Sequence, residues 1–135
     1  MAPHARILVV DDDDDIREVM QEALGSEGFR VDVAKDGVDG LEVLDKLDGA
    51  DPPLILLDMM MPRMDGETFF KIVRDRPALA HVPIVVMSGS AEARETARKL
   101  DASACLMKPL ELDELLNLVR RLTQAGGGGD SCAER

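Results

Sequence analysis

Four consecutive aliphatic residues, Leu54 to Leu57, run without alternation into a single acid, Asp58, and this stretch constrains the fold more than any other. An unbroken short apolar run suits a strand buried on both faces, as in a parallel sheet covered by helices. Asp51-Pro52-Pro53 precede it, and Pro62 and Asp65-Gly66 after it are turn residues. A lone carboxylate at the tip of a buried strand is costly unless something uses it. Ligands of open α/β sheets sit at the carboxyl ends of the strands, where Asp58 is expected.

The same pattern recurs along the chain. Ile7 to Val10 ends on Asp11 and Asp12, Ile84 to Met87 ends on Ser88, and Ala104 to Met107 ends on Lys108-Pro109. Phe29, Val31 and Val33 alternate with Arg30 and Asp32, which reads as a half-exposed edge strand. Between the strands, apolar residues recur at helical spacing: Ile16, Val19, Met20, Ala23 and Leu24; then Val38, Leu41, Leu44 and Leu47; then Phe69, Ile72 and Val73. A weak stripe of Ala93, Ala97 and Leu100 follows, and finally Leu112, Leu115, Leu116 and Val119. Five strands alternating with five helices predict an α/β fold, a doubly wound parallel sheet with right-handed crossovers. The expected domain is residues 1–125, with 126–135 a flexible Gly-rich tail.

Composition narrows the partners. Twenty-seven acids against 16 bases give a formal charge of −11, a surface that repels phosphate backbones and anionic lipid, so neither nucleic acid nor membrane is expected as a partner. No apolar stretch approaches a membrane span, and Ile7 to Val10 before five aspartates is no signal-peptide core. Two cysteines, Cys105 and Cys132, without zinc spacing suggest a reducing, cytoplasmic setting.

Placed at one sheet edge, the four polar tips make a site. Two like charges ~4 Å apart repel by about 4 kcal/mol at an effective dielectric near 20. One ammonium, Lys108, does not balance Asp11, Asp12 and Asp58, so a divalent cation is implied. All the candidate ligands are oxygens, which points to Mg²⁺. With that charge offset, Asp58 is a nucleophile toward a phosphoryl group, while Ser88 donates a hydrogen bond and Lys108 supplies a positive charge. Any one tip is explained as a loop residue at a strand end; the four together are not.

These residues carry a resemblance. Val9 to Asp12 (VVDD), Leu56 to Gly66 (LLDMMMPRMDG), Val86 to Ser90 (VMSGS) and Leu106 to Pro109 (LMKP) resemble the receiver domain of two-component response regulators over about residues 5–123. The resemblance implies a flavodoxin-like fold with strand order 2-1-3-4-5, an order shared with chemotaxis receivers and carried over from the family rather than read from the spacing. It further implies that Asp58 is the phosphoacceptor, fed by the phosphohistidine of a sensor histidine kinase or a histidine phosphotransfer domain. Mg²⁺ is then held by the Asp12 and Asp58 side chains, by the Met60 carbonyl and, through water, by Asp11. Ser88 and Lys108 contact the phosphoryl group, and the Lys108-Pro109 peptide is cis.

The chain departs from the family where receivers usually carry Tyr or Phe, three residues before the lysine; here Cys105 stands there. The ring that turns inward on phosphorylation is therefore missing. Asp101 replaces a frequent glycine, and Asp tolerates the left-handed conformation. A calcium loop on Asp11, Asp13, Asp15 and Glu22 fails at Ile16, where the turn needs glycine. A haloacid-dehalogenase-type hydrolase needs a second acid two residues after the nucleophile, where Met60 stands. The expectation is thus a stand-alone receiver, not an enzyme acting on outside substrates, that switches an unidentified protein target. The alternatives are a phosphorelay carrier or phosphate sink, and a constitutive protein-interaction module with an unused acidic pocket.

Overall fold

The computed structural model describes residues 6–47, 53–61 and 64–124. In chain order these form β1 (Arg6–Val10), α1 (Asp14–Ser26), β2 (Arg30–Ala34), α2 (Gly37–Leu47), β3 (Leu54–Asp58) and α3 (Gly66–Asp75). A short 3₁₀ turn, Pro77–Leu79, then leads to β4 (Ile84–Ser88), α4 (Ala91–Lys99), β5 (Ala104–Met107) and α5 (Leu112–Gln124). The expected tail, 126–135, lies outside the described residues, as do Pro62, Arg63 and Cys132.

The five strands pair in parallel in the order β2-β1-β3-β4-β5, as the resemblance implies. Strands buried on both faces send alternate residues to opposite layers, and the core divides accordingly. Leu8, Val10, Ile55, Leu57, Ile84 and Val86 meet Leu44 of α2, Phe69, Phe70 and Val73 of α3, and Ala93 and Ala97 of α4. Ile7, Val9, Leu56, Val85, Met87 and Leu106 meet Met20 and Leu24 of α1 and Leu115, Leu118, Val119 and Leu122 of α5. Each such Leu, Ile or Phe contributes about 1.5–3 kcal/mol through burial. β2 stands at the edge, with Arg30 exposed and Val31 to Val33 half-buried.

Short polar side chains set where the helices begin. Asp13 caps α1 by accepting from the Asp15 and Ile16 amides, Asp65 caps α3 at the Thr68 amide, and Ser90 caps α4 at the Ala93 amide. Asp101 adopts φ 63° after α4, the left-handed conformation expected there.

Two residues of the apolar helical stripes are not buried. Val19 of α1 is 50% exposed and Leu112 of α5 is 42% exposed. Both sit at the margin of their helix's apolar stripe, on the side where the sheet gives way to the β5–α5 turn. Conversely, Phe70 and Leu118 are buried. Each packs against a helix-covered face of the sheet, so the buried stripe is wider than the i, i+3, i+4 pattern suggests.

Candidate functional site

The strand register carries the polar tips to one edge. β3 pairs with β1 through Val10 opposite Leu57, so Asp11 follows directly beside Asp58. On the other flank Asp58 pairs with Met87 and Ser88 with Met107, one residue before Lys108. The turns leaving these strands are tied by backbone hydrogen bonds. The Asp11 amide donates to the Ala34 carbonyl at 3.1 Å, Gly66 to Met59 at 3.2 Å, and Lys108 to Ser88 at 2.8 Å. Gly66 is obligatory for this approach: a Cβ there would lie 2.7 Å from the Asp58 carbonyl oxygen.

Asp11, Asp12 and Asp58 each offer a carboxylate oxygen, and these lie within 4.8 Å of one another. Asp11 and Asp58 are buried, at 0% and 4% exposure, while Asp12 faces solvent. Lys108 reaches over them, its Nζ 3.1 Å from Asp11 Oδ2 and 3.5 Å from Asp58 Oδ1. The Met60 amide donates to Asp58 Oδ1 at 3.3 Å, and the Met60 side chain is exposed. The cis Lys108-Pro109 peptide follows, as the resemblance implies.

The electrostatics suit a cation. Burial, then Asp11 and Asp12, push the Asp58 carboxyl up to about 6, against the pull of Lys108 and the Met60 amide. Burial draws the Lys108 ammonium down, but Asp11 and Asp58 outweigh it and its net displacement is upward. A hard, all-oxygen donor set with excess negative charge fits Mg²⁺ better than a softer metal.

Of the expected site residues, Asp11, Asp12, Asp58 and Lys108 converge through their side chains. Ser88 is buried at the same edge, but its hydroxyl donates to the Ser90 carbonyl at 2.7 Å, within its own loop. The residue that sequence reasoning missed is Arg17. Its Nη1 donates to the Asp11 main-chain carbonyl at 2.6 Å, and its Nη2 meets Asp14. Lys108 is therefore not alone among the acids. The available signal was a basic residue three positions after Asp14, one turn into the helix that opens at the acidic run.

Cys105 is half-buried in β5, beside a cavity of ≈ 180 Å³ lined by Arg94, Leu106, Glu114, Leu118 and Arg121. Cys105 is disulfide-bonded, so it does not carry the inference of a reducing compartment. On the other side of the site, an apolar groove of ≈ 420 Å³ runs from α1 to the β5–α5 turn. Ile16, Val19, Met20, Pro109, Leu110 and Leu112 line it, with Asp15 and Lys108 at its rim. The two exposed stripe residues, Val19 and Leu112, lie here. No helix among the described residues is long and apolar enough to cross a membrane.

Comparison with known proteins agrees with this architecture. The response regulator MprA of Mycolicibacterium vanbaalenii is 39% identical over 134 residues, covering 95% of this chain and 56% of that protein. Response regulator MprA of Mycobacterium bovis is 40% identical over 119 residues, covering 87% of this chain and 50% of that protein. The chain thus spans about half the length of these relatives. Among solved structures, the chemotaxis response regulator CheY4 of Vibrio cholerae superposes with a TM-score of 0.79 at 30% identity, covering 89% of this chain and 99% of that one. The receiver domain of the Francisella response regulator 1452 gives 0.79 at 28%, covering 91% and 99%. The family model described as the response regulator receiver domain matches residues 7–120. Sheet order, strand-tip chemistry and matched length agree, and the chain belongs to the response regulator receiver domain family.

Proposed function

We propose that residues 1–125 form a receiver that accepts a phosphoryl group on Asp58 from a phosphohistidine, in a Mg²⁺-dependent step, and thereby switches a protein partner. The observation that carries this reading is the convergence of three carboxylates within 4.8 Å, two of them buried, under one lysine. With a pKa of about 6, Asp58 is largely ionised at neutral pH and so is a competent nucleophile. One of its oxygens attacks phosphorus as the bond to the imidazole nitrogen breaks, and the electron pair leaves with the imidazole. Lys108, close to that oxygen, supplies positive charge to the incoming phosphoryl group. Ser88, one strand away, is the donor available to a phosphoryl oxygen once it releases Ser90. Asp12 and Asp58 would hold Mg²⁺ with their side chains, Met60 with its carbonyl and Asp11 through water. When bound, the ion offsets the crowded acids and the phosphoryl charge.

The activity in this reading is self-phosphorylation and its reversal rather than turnover of an outside substrate, since Met60 stands two residues after Asp58, where a hydrolase with an aspartate nucleophile carries its general acid. The donor is a sensor histidine kinase or a histidine phosphotransfer domain. The apolar groove from Ile16 to Leu112, opening beside Lys108, suits a histidine-bearing helix from that partner. The acidic surface argues against nucleic-acid or membrane binding by this chain itself.

A second reading, a relay carrier or phosphate sink, is favoured by one observation: Cys105 leaves no ring to be buried on phosphorylation. Incubation with Mg²⁺ and a small phosphodonor, followed by intact mass, tests the common core of both. One phosphoryl group is expected, lost in Asp58→Asn and in EDTA. Undiminished labelling of either sample would place the chemistry elsewhere.

A further inference from the structure

Asp11 is held at every polar atom it has. Its amide donates to Ala34 in β2, Oδ1 accepts from the Asp13 amide at 2.9 Å, and Oδ2 accepts from Lys108 at 3.1 Å. Its remaining acceptor, the main-chain carbonyl, is taken by the Arg17 guanidinium at 2.6 Å. Arg17 is only 17% exposed, although it sits one turn inside α1 amid an acidic stretch. Its second prong reaches Asp14, so one planar group bridges the strand-end turn and the first turn of the helix.

The peptide that Arg17 grips joins Asp11 to Asp12. Asp12 is exposed, and the direction of its carboxylate is set by the backbone on either side of it. On one side is the Asp11 carbonyl, fixed by Arg17; on the other is Asp13, fixed as the helix cap. The guanidinium also brings a positive charge to the Asp11 main chain while its contacts are to a carbonyl and to Asp14, not to the carboxylates of Asp11, Asp12 and Asp58. We infer that Arg17 is a positioning residue: by holding the Asp11–Asp12 peptide it aims these carboxylates at the place a divalent cation and the Asp58 phosphoryl group would share. A lysine would carry the charge but not the two-pronged geometry, so the two contributions separate experimentally.

This inference rests on the proposed Mg²⁺-dependent receiver chemistry, and wild-type protein serves as the control for that reading. Calorimetric titration of Mg²⁺ into metal-free wild type, Arg17→Lys and Arg17→Met is the direct measurement, with the melting temperature of each recorded without metal. Positioning predicts an affinity loss of about tenfold in Arg17→Met, with Arg17→Lys recovering only part of it. Asp14→Ala, which frees the outer prong and leaves the grip on Asp11, should lose two- to threefold. At saturating Mg²⁺, Arg17→Met should still label Asp58 several-fold more slowly than wild type with a small phosphodonor. A lowered melting temperature with unchanged Mg²⁺ affinity would make Arg17 structural and overturn the inference. Full recovery by Arg17→Lys would equally overturn it, since charge alone would then suffice. Failure of wild type to bind Mg²⁺ or to label would instead sink the receiver chemistry itself.

Discussion

The Ser88 hydroxyl donates to the Ser90 carbonyl at 2.7 Å and accepts from the Ser90 amide at 3.2 Å. Ser90 in turn caps α4 through the Ala93 amide at 3.1 Å, so a buried side chain at the end of the strand beside Asp58 is coupled to the start of a helix. That helix buries only Ala93 and Ala97, which gives it little hold on the sheet.

Drawing Ser88 toward a phosphoryl oxygen removes both of its contacts to Ser90. A phosphoryl mimic on Asp58 should therefore change hydrogen exchange mainly between Ser88 and Leu100, with α1 and α3 altered only where they touch the site. Ser88→Ala should blunt this response while leaving Asp58 able to be labelled. Unchanged exchange across Ser88 to Leu100 would favour the carrier over the switch.

Asp58 should make the stability of the fold depend on pH. Its folded pKa of about 6 lies above its ordinary 3.8, so folding favours the protonated form. The sign follows: this contribution is fully present below pH 3.8 and is lost as pH rises through about 6. Once ionised, the group costs about 3 kcal/mol, at about 1.36 kcal/mol per pH unit. Asp58→Asn should therefore unfold at higher denaturant than wild type at pH 7.5, with the difference vanishing near pH 4. A constant difference across that range would show that ionisation is not its source.

Mg²⁺ should stabilise the folded protein by linkage, adding about 1.4 kcal/mol at tenfold excess over Kd. Asp12→Ala should abolish the rise in melting temperature produced by millimolar Mg²⁺. Because Asp12 is exposed, its removal should itself shift the metal-free melting temperature by little. Retention of the Mg²⁺ response in Asp12→Ala would remove this residue from the metal set.

Gly66→Ala sets a new Cβ against the backbone at the end of β3, 2.7 Å from the Asp58 carbonyl oxygen and from the Met59 Cα. A rigid neighbour does not yield cheaply, so the cost should be about 1–3 kcal/mol by denaturant unfolding, accompanied by slower labelling of Asp58. Wild-type stability and labelling in this variant would mean that the turn is more pliable than its packing suggests.

Much of this was legible in the sequence because strands buried on both faces announce themselves as unbroken aliphatic runs. Leu54 to Leu57 and Ile84 to Met87 needed no partner to be recognised, and their polar ends named Asp58 and Ser88. The helix margins were not legible: whether Val19 and Leu112 turn toward the sheet depends on where the sheet ends, a tertiary fact. Arg17 was missed for a related reason. Its target is a main-chain carbonyl, which every residue possesses and no motif records. The Ser88–Ser90 contact was equally hidden, since a hydroxyl's partner depends on the loop's path.

The Lys108–Asp11 ion pair joins residues 97 positions apart, one just beyond the first strand and one just beyond the last. A ribosome releases the chain in order, N-terminal segments first. A nascent chain holding β1 to β4 already carries Asp11, Asp12 and Asp58, yet it lacks the lysine that answers them. Until residue 108 is added, the acids at this sheet edge face one another without that ammonium, and the last strand to be made is the one that brings their counter-charge.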